Sequence, residues 1–501
     1  MTEAMPPGKA PKTASLLIFA LCLWALPVTF SAAQQTTAQD LLAEYGLPVH
    51  DLGYIVFDPE SGAWLESHNP TAGFIPASTA KIPMAVAALE ILGPQHRFRT
   101  ELHATGEVRG ITLHGDLYLK GGGDPFLATE DLLALLKGLG QRRFSSVIGN
   151  YYYDVSGFPE LPAINAAQPP EATYNPGLSA LNLNFNGVAL NWKAPQDGPV
   201  TARAISRSDA MAVETPAIAV LPEFAALEAG EFYRHRQTEA GELWQLSQVL
   251  PREGAERLPV KDPARNTAAA LRSLAVAESV FLPAAQAGRM PPSAVRIAGH
   301  ESLPLAEMLR GVLKFSNNLA AEMIGLTAAK TAVGRPPDEA PTLEGSAALL
   351  GAWFAARLPE TDWRGYDLKN HSGLSSDSRI TPAQMAAILG YAYARRGTPG
   401  DLLAVLPEAR ASAKVNGEVE GEIEILAKSG TINYGRALAG YLTAASGRQL
   451  GFAVFVSDVP RRRAYDERLA ARQTDDAAAR GWLGRARGLE TELLKRWAAK
   501  Y

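Results

Sequence analysis

Apolar residues along this chain change period twice, and the changes divide it into three parts. At Asp51–Asp58, Leu52, Tyr54, Val56 and Phe57 mark a strand, and Ala63–Ser67 reads as its hairpin partner across the turn at Pro59–Gly62. Pro76-Ala77-Ser78 then breaks into a helix that continues through Met84–Leu92. From Arg97 to about Pro291 the pattern becomes short alternating runs with Gly and Pro between them. Ile111–Lys120, Ser145–Asp154 and Ala180–Trp192 are examples, and they predict β-rich material. Helical spacing returns at Leu303–Leu313, Asn318–Val333, Thr342–Leu358 and Pro382–Arg395. Ile423–Ala427, Ala437–Thr443 and Leu450–Val456 read as strands, and an Arg- and Glu-rich helical pattern follows from about Tyr465.

Strands near both ends, with helices between them, predict that the two ends share one sheet flanked by helices. The class is α/β in the α+β sense, and the middle of the chain is an insertion. Residues 34–96 and 291–501 then form one domain, and 97–290 form β-rich inserted material. No repeat is evident at the periods of solenoids or propellers.

The amino terminus bears on compartment. Lys9 and Lys12 precede an apolar run from Ala14 to Phe30, and Ser31-Ala32-Ala33 offers small residues for cleavage. Residues 1–33 therefore read as a secretory signal peptide, and the expected location is the periplasm. Pro27 interrupts the run, which argues against a membrane-spanning helix. The only cysteine, Cys22, lies inside this segment, so the mature chain has no thiol for catalysis, disulfides or metal binding.

Composition removes other classes. The formal net charge is −4 and no long basic tract occurs, so nucleic acid is not an expected partner. The eight histidines show no His-Glu-x-x-His spacing, and no Gly-x-Ser-x-Gly elbow is present. Neither a metal nor any other cofactor is expected. Gly121-Gly122-Gly123-Asp124-Pro125 lacks the Gly-Lys-Ser/Thr of a phosphate loop and reads as a turn. The stretch from Arg461-Arg462-Arg463 to Lys495-Arg496 is basic in places and amphipathic, a pattern compatible with peripheral membrane contact. A packed terminal helix is its plainer reading.

Three short segments carry the candidate chemistry: Ser78-Thr79-Ala80-Lys81, Ser316-Asn317-Asn318 and Lys428-Ser429-Gly430-Thr431. Ser78 and Lys81, three apart, share one face of a helical turn. Pro83 restricts Ile82, which predicts a separate tight turn, 3₁₀ in character, ahead of a helix starting near Pro83. A lysine is a base at neutral pH only if burial or a second cation lowers its proton affinity, and Lys428 is a candidate for that cation. Ser316 would bridge the two amines and relay a proton, and Asn318 would bind Lys81 and a substrate amide. Gly430 removes a side chain where another backbone must approach. Ser429 and Thr431 add hydroxyls for a terminal carboxylate, and the N–H groups of Ser78 and Thr431 would form an oxyanion hole. Taken singly, each segment has a blander reading: a helix cap with a solvated lysine, an N-cap, and a strand entering a glycine turn. Together and in this order they supply acyl transfer through a serine ester.

The ordered set resembles the penicillin-recognising serine enzymes. More closely, the chain resembles D-alanyl-D-alanine carboxypeptidase/endopeptidases of the penicillin-binding protein 4 type. Leu117-Tyr118-Leu119-Lys120-Gly121-Gly122-Gly123-Asp124-Pro125, Ser372-Gly373-Leu374-Ser375 and the long gap between the first two segments carry the resemblance further. It implies a β-lactamase/transpeptidase-like domain, with residues 97–290 organised as two small nested domains. It also implies Ser78 as the acylated nucleophile, Lys81 as general base, Ser316 and Asn318 in the second motif, and Lys428 and Ser429 in the third. Peptidoglycan stem peptides and β-lactam antibiotics are the implied partners. Two departures stand out: Ser429 replaces the usual threonine, and Asn370-His371 replaces an Asp-Gly, so a carboxylate is missing near the expected site. Two other readings are a β-lactamase and a non-catalytic cell-wall-binding protein. No Glu-x-x-x-Asn segment lies between Asn318 and Lys428 to position a deacylating water as class A β-lactamases do, although class C-like routes stay open, and a binder has no need of all four reactive residues.

Overall fold

The computed structural model describes residues 40–141, 144–195, 198–221, 223–334, 341–398, 400–415, 419–470 and 476–501, and in it the two ends share one sheet. The predicted signal peptide and Cys22 lie outside the described residues. Six strands run in the order Glu408–Val415, Val419–Ile432, Gly435–Thr443, Gln449–Ser457, Leu52–Phe57 and Trp64–His68. Each is antiparallel to its neighbour, with Leu52 opposite Val456 and Ile425 opposite Leu442.

The period-2 pattern explains why helices cover both faces of this sheet. In Leu52–Phe57, Ile55 and Phe57 face one core, and Leu52, Tyr54 and Val56 face the other. The first core is closed by helices Lys81–Ile91, Leu305–Phe315, Asn318–Ala332, Leu343–Arg357 and Pro382–Tyr393. The second is closed mainly by the terminal helix Asp476–Lys500, which buries Trp482, Leu489, Leu493 and Trp497. The Trp497 ring sits 5.3 Å from that of Tyr54. The apolar side of the tail is thus covered by the sheet, as the packed-helix reading expects. Peripheral membrane contact is left without support.

Helix ends follow their local signals. Thr342 and Thr381 cap their helices through side-chain oxygens, and Pro382 takes the first helical position. Pro83 does not set the boundary predicted for it. The helix begins at Lys81, because a proline in the first turn lacks only an N–H that would have no partner there.

Among the described residues, the middle of the chain forms four further sheets. Its first strand, Arg99–Ala104, pairs with Val295–Glu301, so the chain leaves and returns at one place. The middle also holds two helices that a β-rich reading omits, Thr129–Gln141 and Pro263–Ala277. The sequence carried signals for both: Leu132, Leu135, Leu136 and Leu139 at helical spacing, and an Asp262 cap ahead of Pro263.

Candidate active site

The three segments meet at one cleft. Ala77–Ala80 is a 3₁₀ turn, entered at Ala77 with φ +44°, a left-handed conformation that costs an alanine about 1–3 kcal/mol. Two glycines let other backbones press against it. A Cβ on Gly430 would lie 2.6 Å from the Pro76 carbonyl oxygen and 2.8 Å from the Ser78 nitrogen. One on Gly373, at φ +75°, would lie 1.7 Å from the Ala77 carbonyl oxygen. Gly430 therefore receives the turn bearing Ser78.

Lys81 opens the following helix with no exposed surface. Its Nζ lies 3.1 Å from Ser78 Oγ, 2.8 Å from Asn318 Oδ1 and 2.8 Å from the Ser372 carbonyl oxygen. Burial, and next the charge of Lys428, hold this amine well below the ordinary lysine range, while Glu322 acts in the opposite direction. Lys428 is itself buried and donates to the Ser429 carbonyl at 2.7 Å. Burial and then Arg436 lower it to about 8. The second cation predicted beside Lys81 is therefore present.

Ser316-Asn317-Asn318 forms the corner between two helices. Ser316 ends the first in a left-handed conformation, φ +57°, and Asn317 caps the second by accepting from the Ala320 N–H. The cap is thus Asn317, which leaves Ser316 on the cleft wall and Asn318 against Lys81. Among the described residues, the Ser316 hydroxyl bonds neither amine, so the bridge expected of it is not formed. Asn318 Nδ2 donates to the Tyr174 carbonyl at 2.9 Å, which ties the inserted part to the site.

In the third segment, Ser429 and Thr431 are exposed while Lys428 and Gly430 are buried, as strand alternation requires. Thr431 Oγ1 accepts from Arg436 at 2.8 Å, and Arg436 is paired in turn with Glu490 of the terminal helix. The strand Glu408–Val415 ends its pairing at Leu426, so among the described residues Lys428–Ile432 has a strand partner along one edge only. The cleft has a volume of about 340 Å³, and Ser78, Tyr174, Ser316, Asn318, Thr431 and Arg462 are among its lining residues.

Glu322, Tyr174 and Arg436 escaped the sequence reading, and Asn370-His371 entered it only as a departure from the family pattern. Glu322, four residues beyond Asn318, is fully buried, and its two carboxylate oxygens accept from the His371 and Ser372 N–H groups at 3.0 and 2.9 Å. A carboxylate is therefore present near the site although the Asp-Gly is absent. Asn370 Oδ1 accepts from the Gly373 N–H at 3.0 Å. Burial lowers His371 to about 3, so its ring is neutral, and it pairs with the Ser346 hydroxyl at 2.8 Å. That ring packs over Gly325, where a Cβ would meet it at 2.2 Å. Arg436 and Tyr174 complete the set. Among the described residues no group of three or more His, Cys, Asp or Glu is placed to hold a metal, and no helix is long and apolar enough to cross a membrane.

This arrangement places a hydroxyl beside a buried, easily deprotonated amine in an open cleft, which suits nucleophilic attack on an acyl group. Comparison with known proteins agrees. The chain is 28% identical over 451 residues to the D-alanyl-D-alanine carboxypeptidase of Actinomadura sp. strain R39, covering 80% of this chain and 77% of that protein. It is 23% identical over 441 residues to D-alanyl-D-alanine carboxypeptidase DacB of Haemophilus influenzae, covering 81% and 85%. The crystal structure of penicillin binding protein 4 (dacB) from H. influenzae superimposes with a TM-score of 0.71 at 20% identity, covering 93% of this chain and 99% of that one, which establishes the shared fold. The profile of the D-Ala-D-Ala carboxypeptidase 3 (S13) family matches residues 34–479, and the chain belongs to that family.

Proposed function

We propose that the chain is an exported serine D-Ala-D-Ala carboxypeptidase or endopeptidase that acts on peptidoglycan stem peptides through an ester on Ser78. β-Lactams would acylate the same oxygen. One observation carries the reading: Lys81 Nζ, fully buried, lies 3.1 Å from Ser78 Oγ and 2.8 Å from the Asn318 and Ser372 carbonyl oxygens. A neutral amine has two N–H groups and one lone pair. With the amine in that form, the Asn318 and Ser372 carbonyl oxygens would accept the two N–H groups and the lone pair would face the Ser78 O–H.

As Ser78 Oγ bonds to the carbonyl carbon of the penultimate D-Ala, its proton passes to Lys81. The N–H groups of Ser78 and Thr431 would take the oxyanion. The unpaired edge of Lys428–Ile432 offers a strand partner to the peptide, and Lys428, Ser429 and Thr431 supply charge and hydroxyls for its terminal carboxylate. Ser316 is assigned to relaying the Ser78 proton from Lys81 to the departing amine, its own O–H passing on as it takes the Lys81 proton; the amine is either D-Ala or the side-chain amine of a second stem. Water then hydrolyses the ester. Glu322 lies behind the Ser372 backbone and is not part of the cleft wall, so it has no access to a deacylating water. This favours slow release of a β-lactam adduct over β-lactamase activity.

The inserted residues 97–290 would then hold the flank of the cleft through Tyr174, with residues 34–96 and 291–501 as the catalytic part. Residues 1–33 would direct the chain to the periplasm. The test is release of D-Ala from a stem pentapeptide: the wild type releases it and Ser78→Ala does not. Release by Ser78→Ala at the wild-type rate contradicts the reading.

A further inference from the structure

The reading above leaves one buried acid without a task. Glu322 has no exposed surface and does not touch the cleft, yet both of its oxygens accept backbone N–H groups from the segment that cradles the base. The peptide after Ser372 is held at its other end by Asn370, which accepts from the Gly373 N–H, and its carbonyl oxygen takes Lys81 Nζ at 2.8 Å. The chain of contacts therefore runs from a buried carboxylate, through two N–H groups, to the carbonyl that fixes where the amine points.

We propose that Glu322 is a positioning residue for the base: it fixes the Ser372 carbonyl, which aims the Lys81 lone pair at Ser78, and its charge offsets that of Lys428 as Lys81 takes up the Ser78 proton. The proposal rests on Lys81 acting as the base. Burial and Lys428 disfavour the charged form of Lys81, yet during attack it becomes a buried cation near Lys428. Without an opposing charge that cation is disfavoured, and the base weakens. The ionisable groups facing Lys81 are Lys428 and Glu322. Arg436 faces Lys428, and the neighbouring His371 is neutral. Burial raises the Glu322 carboxyl, whereas its hydrogen bonds to Ser372 and His371 and the Lys81 charge favour the ionised form.

The experiment is the rate of acylation by benzylpenicillin, followed as adduct mass between about pH 5 and 10, for the wild type, Glu322→Gln and Glu322→Asp. Loss of the charge makes protonated Lys81 less favourable, so Glu322→Gln moves the acid limb about one unit toward lower pH and lowers the plateau about tenfold. Glu322→Asp keeps the limb near its wild-type position with a reduced plateau. A Glu322→Gln limb that stays in place overturns the proposal even if the rate falls, because a purely structural acid would lower the rate without moving the limb. If Glu322→Gln does not fold, carbon-13 NMR of the wild type labelled at glutamate carboxyls decides the matter. A buried carboxylate ionised between about pH 6 and 9, assigned by its loss in Glu322→Asp, supports the proposal, and a neutral one overturns it. Failure of the wild type to form any adduct counts instead against Ser78 and Lys81 as nucleophile and base.

Discussion

Ser78 Oγ and Lys81 Nζ lie 3.1 Å apart in a turn that shields the amine from water entirely. The hydroxyl lines the cleft and the base lies behind it. Burial and Lys428 together favour the neutral amine, so the rate of D-Ala release should rise through a pH well below that of an ordinary lysine. The carboxylate of the substrate needs Lys428 charged, and Lys428 loses its proton at about 8. The profile of kcat/KM is therefore expected to be a bell whose falling limb lies near pH 8. Lys428→Ala should lower kcat/KM and remove that limb. A rising limb in the ordinary lysine range would contradict the assignment of Lys81.

Arg436 approaches the same end of the cleft through Thr431, and Glu490 of the terminal helix holds it in place. Arg436→Ala should raise KM for a peptide with a free terminal carboxylate about tenfold, with a smaller change in kcat. Because Arg436 lowers Lys428, its removal should also shift the falling limb to higher pH. Steady-state kinetics across pH on the one variant check both effects.

Ser316 separates chemistry from strain. Its left-handed backbone is one that glycine adopts freely. Ser316→Gly should therefore leave stability equal or higher by up to about 1 kcal/mol while reducing D-Ala release about a hundredfold. Thermal unfolding and turnover measured on one preparation give the comparison. Unchanged turnover would remove Ser316 from the proton path.

The tail helix buries Trp482, Leu493 and Trp497 against the sheet, so these apolar side chains are not available to lipid. Residues 34–501 should stay in the supernatant when sedimented with anionic liposomes. Trp497→Ala should cost about 3–5 kcal/mol by opening a cavity beside Tyr54. Calorimetry and sedimentation are the two measurements.

The site was legible where its chemistry lies in contiguous residues. Ser78 and Lys81 share a turn, and Lys428 and Gly430 share a strand face, so spacing alone places them. Glu322 was not legible: in a helix it reads as a surface acid, and the N–H groups that bury it come from His371 and Ser372, far along the chain. Tyr174 contributes a backbone carbonyl, which no side-chain pattern marks. Arg436 stands opposite Thr431 across a two-residue hairpin loop, Asn433-Tyr434. The positive φ there falls on Tyr434, not on glycine, because Tyr465 and Trp482 hold its ring. Such a turn escapes a search for glycine signals. In the fold, five of the six strands of the end sheet are legible as apolar runs and Glu408–Val415 is not, while the two middle helices are obscured by the short strands around them.

The central claim is a covalent ester on Ser78, and intact mass tests it most directly. Purified residues 34–501 are mixed with benzylpenicillin, with Ser78→Ala alongside. The account predicts a lasting adduct of one penicillin on the wild type and none on Ser78→Ala. An adduct on both proteins, or none on either with the antibiotic intact, would contradict it.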